Sequence, residues 1–309
     1  VITHPVQSAT SAGELFSYGA RCAATRLPAI DAVFCGTEFG DEDVFHAMYH
    51  YEQTNDFKSR LKDAMNGGAS YAAAYKKSFA EKDPAWAQLF QSNALLAYGY
   101  YKSLKKLSSP IPLKMVNRKE SDDILSASAL RQMSEKNAPE VKAYCAGTAP
   151  AYRESDLCDS LFRIYRSAIL TSELDLSPYD GYEIGIDQRI EKLLRNTSDF
   201  HAFLDQAKTK RYSRWRIARL LLHHLLAMDR DSVRASIENQ NSYQVLAFSE
   251  KGTDYLRLAK ASSTILLTNY KQIKKLSSDQ QRILSFEERA TDLWSVLTGT
   301  EMGRDYLGF

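Results

Sequence analysis

The sequence predicts an α/β fold class, with part of a doubly wound parallel sheet in the first half of the chain and a mainly α-helical second half. Two short apolar runs, Ala32-Val-Phe-Cys35 and Leu113-Lys-Met-Val-Asn117, have the length of buried strands and are bounded by turn signals. Segments with apolar residues at helical spacing lie between them, the alternation expected of a parallel sheet with crossover helices. Beyond about residue 136 strand signals fade, so domains are expected at 1–135 and 136–309.

Taken in order, Gln7 to Ala24 is rich in Ala and Ser with apolar residues at helical spacing, and Pro28 stops it. The first strand runs into Gly36-Thr-Glu-Phe-Gly-Asp41, a loop with two glycines. Asp43–Lys62 and Ala69–Ala80 read as amphipathic helices on either side of the turn Asn66-Gly-Gly68. Trp86–Lys106 is a further helix, broken by Pro110 and Pro112 ahead of the second strand. A helix with serines at its head spans Asp122–Met133. The second half predicts helices at Leu157–Leu170, Gly185–Leu194, Asp199–Ala207, Ser213–Met228, Thr253–Ala259 and Gln280–Leu297, with a strand at Thr264–Thr268. Two strands in the first half are too few for a doubly wound sheet, which typically has about five or six. With Val as the first residue, the missing strands are expected upstream of Val1.

Apolar residues at 44% and charged residues at 25% are ordinary globular values, which exclude a disordered chain. No apolar run approaches the roughly 18–20 residues that span a bilayer, so no membrane partner is expected. Val1-Ile-Thr-His-Pro5 has neither the basic head nor the apolar body of a signal peptide. The four cysteines form no CxxC pair and have no His or Cys at zinc spacing, so they are expected as free thiols in a reducing, cytoplasmic setting. His46 and His50 stand four apart on a helix, but without the Glu of an HExxH pattern they read as a structural pair.

The net charge of the chain is only +2, yet Lys208-Thr-Lys-Arg-Tyr-Ser-Arg-Trp-Arg-Ile-Ala-Arg219 holds six basic side chains and no acid. Lys208, Lys210, Arg211, Arg214, Arg216 and Arg219 are interleaved with Tyr212 and Trp215. That mixture suits a polyanion whose bases can stack, an RNA. With Ser213 as N-cap, Ile217, Leu221, Leu225 and Met228 share one helical arc. Arg216, Arg219 and His223 fall on the opposite face, expected to meet solvent. A plain solvated charged face is the competing account.

A second anion site is suggested by Ile124-Leu-Ser-Ala-Ser-Ala-Leu-Arg131. Ser126 and Ser128 head a helix there, and Arg131 stands where a capping box would place Glu or Gln. A cation opposes the helix dipole at that point, and a phosphate group would resolve the conflict. A Ser cap with a solvent-facing Arg explains the spacing equally well. Gly36, at the end of a strand, would let a nucleotide approach closely, as would any turn glycine. Asn93 reads by default as a capping or surface residue.

These segments together resemble a known family. Phe34-Cys-Gly-Thr-Glu-Phe-Gly-Asp41, Leu125-Ser-Ala-Ser-Ala-Leu-Arg131, Lys208-Thr-Lys-Arg-Tyr-Ser-Arg-Trp-Arg216 and Ala290-Thr-Asp-Leu-Trp-Ser295 occur in the order found in the bacterial tRNA(Met) cytidine acetate ligases. The likeness runs from Val1 to about Leu297. It implies a Rossmann-like nucleotidyltransferase domain of the HxGH type and a helical tRNA-binding domain. It also implies ATP with Mg2+ as cofactor, acetate as small substrate, and elongator tRNA(Met), not DNA, as partner. The implied reaction activates acetate as acetyl-adenylate and acetylates N4 of the wobble cytidine. By motif, Gly36, Asn93, Ser126, Ser128 and Arg131 would contact ATP, and Lys208–Arg219 would face tRNA.

The chain departs from the family in two places. No HxGH stands anywhere in residues 1–309, where the family has it near its opening strand. Around Asn93 the family tends to have Pro-Asn-Asn and a following Gly, where this chain has Ser92, Ala94 and Ala97. The expectation is an incomplete enzyme, unable to form acetyl-adenylate alone. The alternatives are a non-catalytic tRNA-binding protein derived from that family and, less well matched to the basic segment, a nucleotidyltransferase acting on a small cofactor precursor. The sequence immediately upstream of Val1 discriminates the first two.

Overall fold

The computed structural model describes residues 1–90, 92–117, 127–136, 153–171, 174–209 and 212–303. They divide into two compact units. One holds the described residues up to 117 together with Asp231–Glu287; the other holds those from 127 to Arg230 and from Glu288 onward.

In the first unit the expected strands form as β1 (Val33–Thr37) and β2 (Leu113–Asn117). They pair in parallel, with Val33 opposite Leu113 and Gly36 opposite Val116. The predicted Gln7–Ala24 helix is two, α1 (Val6–Ala9) and α2 (Gly13–Arg26). The second ends because Leu27, placed before Pro28, takes an extended conformation with ψ 133°. Close packing of α2 on α6 (Ser92–Lys106) needs the glycine at 99, because a Cβ there would lie 2.4 Å from Ser17 Oγ.

The single helix expected over Asp43–Lys62 is also two, α3 (Glu42–Glu52) and α4 (Asn55–Asn66). Asp41 caps the first by accepting from Val44 N at 2.9 Å. Thr54 starts the second, its hydroxyl accepting from Phe57 N at 3.2 Å. The break brings Phe57 against Tyr51 and Phe79, with ring centroids 5.5 and 4.9 Å away. Ring packing outweighs the local preference for one continuous helix. Likewise Trp86–Lys106 resolves into a 3-10 turn at Pro84–Phe90, which buries Leu89 completely, and then α6.

Between these helices, with α5 (Tyr71–Lys82), sits a polar knot. The Glu52 carboxylate accepts from Tyr75 OH and Tyr98 OH, both at 2.8 Å, and from Lys102 Nζ at 3.0 Å. The ammonium also lies over both phenol rings, 5.6 and 5.4 Å from their centroids. Burial, reinforced by the carboxylate, pushes both phenols far above their ordinary range, so they remain donors at any working pH. Glu52→Ala strands a cation and two buried donors. It is expected to cost about 3 kcal/mol, lowering Tm by roughly 6–12 °C in a thermal melt.

Residues 231–287 join this unit through specific bonds, a division that differs from a linear split at 136. Thr3 N donates to Gln244 O at 2.9 Å, and Arg26 Nη1 to Ile237 O at 3.0 Å. Tyr255 OH reaches Pro28 O at 2.9 Å, and Thr264 Oγ1 reaches Arg26 O at 2.6 Å. These are backbone acceptors distant in sequence, which no local pattern announces. Within the segment, α12 (Arg230–Asn239) and β3 (Ser242–Gln244) form where no element was expected. The strand pairs in parallel with β4 (Ile265–Leu267), the strand expected at 264–268. All three residues of β3 are buried, so it lacks the alternation that marks a strand in sequence.

The second unit contains α7 (Ala127–Glu135), α8 (Glu154–Thr171), α9 (Ile186–Asn196), α10 (Phe200–Ala207) and α11 (Arg214–Leu225). Ile186, Ile190 and Leu194 follow the four-residue spacing of one helix face and are all buried. They pack with Phe162, Tyr165, Phe203, Ile217 and Leu221 in one core. The helix predicted at 253–259 is α13 (Glu250–Ala259), and α14 (Ser278–Thr298), predicted at 280–297, buries Ile283, Leu284 and Phe286 in its first half, which belongs to the first unit. Among the described residues no helix is long and apolar enough to cross a membrane.

Candidate functional site

The basic segment enters α11 through Ser213, whose hydroxyl accepts from Arg216 N at 3.2 Å. Of the expected apolar arc, Ile217 and Leu221 are inaccessible to solvent and Leu225 is partly buried, while Met228, also buried, lies beyond the end of α11. Lys210 and Arg211 lie outside the described residues.

The cations have acidic neighbours that the linear sequence hides. Lys208 Nζ lies 3.2 Å from Asp205 Oδ1, and Arg214 Nη1 lies 3.7 Å from the same oxygen. Arg214 Nη2 also contacts His201 Nδ1. Arg216 is held more firmly. Its Nε donates to Gly181 O at 2.9 Å and its Nη2 to Glu183 Oε1 at 2.9 Å. The other oxygen of Glu183 accepts from Tyr212 OH at 3.0 Å, and the Tyr212 ring lies 5.3 Å from the Arg216 guanidinium. Tyr212 and Arg216 thus form a clasp centred on Glu183.

The Arg216–Arg219–His223 face expected to meet solvent is not an open cationic face. His223 is 2% exposed, and Arg219 is half-buried. Burial, with Arg216 nearby, pulls the Arg219 guanidinium below its ordinary range, while the Asp180 carboxylate works in the opposite sense. Stepping residues around a helical wheel gives the angle of each side chain, but not which neighbouring loop covers it. Here Gly181, Glu183 and Asp180 belong to the loop that precedes α9. Trp215 behaves differently: at 64% exposed it projects to solvent, with the Arg214 guanidinium 6.0 Å from its ring.

At the expected nucleotide residues, Gly36 stands in β1 and is exposed. Asn93, in the first turn of α6, donates through Nδ2 to Glu38 Oε1, while Ala94 N donates to Glu38 Oε2 at 3.2 Å. A carboxylate from the loop after β1 therefore occupies the positive end of α6, where an anion is favoured. The donors at Asn93 do not fit a phosphate while Glu38 is there. Ala94 and Ala97 are fully buried. Arg131 lies in α7, exposed, with Nε 3.9 Å from Glu154 Oε2, a separation at which a surface ion pair contributes little. Ser126 lies outside the described residues, and Ser128 is in the first turn of α7.

His46 and His50 pack edge to face with ring centroids 4.3 Å apart, and His46 Nδ1 lies 3.1 Å from Tyr101 OH. Cys22 and Cys35 are free thiols, and Cys145 lies outside the described residues. Burial pushes the Cys22 and Cys35 thiols up, away from reactive thiolates.

Sequence reasoning missed Glu38, Glu183, Asp205 and His201, the residues that engage the side chains of the expected site residues. Only Glu38 carried any signal, through its place in the loop after a strand.

Parallel strands joined through helices, with a helical unit beside them in sequence, define an α/β protein. The chain belongs to the HIGH Nucleotidyl Transferase family, whose model matches residues 1–306. It is 28% identical to the tRNA(Met) cytidine acetate ligase of Clostridium perfringens strain ATCC 13124, over 99% of this chain and 82% of that protein. Its identity to the ligase of the same name from Caldanaerobacter subterraneus subsp. tengcongensis is 29%, over 96% of this chain and 79% of that one. Its fold matches a crystal structure of Thermotoga maritima TmcAL bound with alpha-thio ATP, with a TM-score of 0.87 at 21% identity, covering 99% of this chain and 82% of that one.

Proposed function

We propose that the protein serves ATP-dependent acetylation of the wobble cytidine of elongator tRNA(Met), with acetate activated as acetyl-adenylate and pyrophosphate released. The observation that carries this is the match to tRNA(Met) cytidine acetate ligases along nearly the whole chain. In this proposal Lys208, Lys210, Arg211, Tyr212, Arg214, Trp215, Arg216 and Arg219 form the tRNA side. Gly36, Asn93, Ser126, Ser128 and Arg131 form the ATP side, with Mg2+ accompanying the nucleotide. A contact between Asn93 and ATP requires Glu38 to leave it.

A second reading is favoured by one observation: Glu38 fills the donors at Asn93 and at the start of α6. On that reading the chain binds tRNA without activating acetate. On the first reading the protein, given ATP, Mg2+ and acetate, releases pyrophosphate; on the second it releases none above background while still binding a tRNA(Met) transcript. Turnover in the pyrophosphate assay removes the second reading; absence of tRNA binding removes both.

A further inference from the structure

We propose that Trp215 is a stacking platform for an unpaired base of the bound RNA, and that Tyr212 and Arg216 act only as positioning residues that aim it. This rests on the tRNA-binding proposal and divides the basic segment into parts with different work.

Singly exposed apolar residues are ordinary, and what marks Trp215 is its place among six basic side chains. Trp215 is 64% exposed, whereas the other two aromatic or planar groups beside it in the segment are committed within the protein. Tyr212 donates to Glu183, and Arg216 holds Glu183 and Gly181 O. On its other side Arg214 is tied to Asp205 and His201. The first turn of α11 is thus anchored through both neighbours of Trp215 and through the Ser213 cap. With its backbone anchored in this way, the ring has less freedom to lose when a base settles on it.

The partner's chemistry follows from the surroundings. A flat apolar ring accepts any base by its π-face, and the Arg214 guanidinium, 6.0 Å from the ring, can meet the phosphate of the same nucleotide. Six basic side chains in twelve residues favour a polyanion over an apolar peptide. Double-stranded RNA hides the faces of its bases, so the nucleotide on Trp215 must be unpaired.

The test uses the full chain with a tRNA(Met) transcript and with two short single-stranded RNAs, one intact and one carrying an abasic position. Trp215→Ala is expected to weaken tRNA binding about 10-fold to 100-fold without changing the salt slope, since no phosphate contact is lost. Trp215→Phe is expected to stay within about 3-fold of the wild type, because a smaller ring still stacks. Wild type should prefer the intact oligonucleotide over the abasic one, and Trp215→Ala should not. Glu183→Gln, which loosens the clasp, should weaken binding while the intact-to-abasic preference shrinks. Wild-type RNA binding that Trp215→Ala leaves unchanged, or an equal affinity for abasic RNA, overturns the stacking role and leaves the tRNA proposal standing. A wild type that binds no RNA overturns both.

Discussion

Charge reversal of Arg211 and Arg214 together is expected to lower affinity for tRNA(Met) roughly 100-fold at moderate salt and to reduce the slope of log K against log salt by about two. Arg214 opens α11, and Arg211 stands three residues before it in sequence; helix polarity disfavours positive charge at that end unless an anion arrives. Arg214 already has Asp205 within 3.7 Å, so a carboxylate at 214 also places two like charges together. A filter-binding titration across a salt series reads both quantities. The slope is the decisive one: affinity lost with an unchanged slope would indicate damage to the fold and not loss of phosphate contacts. Arg216→Glu is a poor substitute for this experiment, because it breaks the Glu183 clasp and changes structure and charge at once.

Phe203→Ala is expected to destabilise the chain by about 4 kcal/mol, the usual cost of removing a buried aromatic ring from a core that cannot collapse around the gap. Phe203 is fully buried in α10, with its ring 5.8 Å from Phe162 and 6.1 Å from Phe200. It lies in the core that also carries Ile217 and Leu221, the inner side of α11. Urea unfolding followed by tryptophan fluorescence and by circular dichroism is expected to show a lower midpoint with little change in the m-value. An unchanged midpoint would mean that this core does not support the segment. RNA binding should fall in parallel with the folded fraction, in contrast to Trp215→Ala, which leaves stability intact.

The second unit was the more legible in sequence because its helices are amphipathic and capped locally. Ser213, Asp199 and the four-residue spacing of Ile186, Ile190 and Leu194 each act within one or two turns. In the first unit, helical periodicity ran across Gln53-Thr54 without a visible break. What cut the helix there was a hydroxyl cap together with the packing of Phe57 onto rings from two other helices. The strand at 242–244 escaped notice because it is three residues long and buried on both faces.

The candidate site divides along the same line. The sequence by itself determined the concentration of positive charge and aromatic rings at 208–219, the Ser213 helix start and the apolar side of α11, because each depends on residue type and short spacing. Only the tertiary structure decided which members of that segment remain available. Glu183 and Gly181 claim Arg216, Glu183 claims Tyr212, and Asp205 stands beside Lys208 and Arg214. At the other end of the chain, Glu38 claims Asn93 across 55 residues. Charge acts through space and weakens with distance and salt screening, so the acid that answers a given Arg is set by the folded path of the chain and not by its neighbours in sequence. Trp215 stays exposed for the same reason: the fold brings partners to the residues on either side of it and leaves its ring facing solvent.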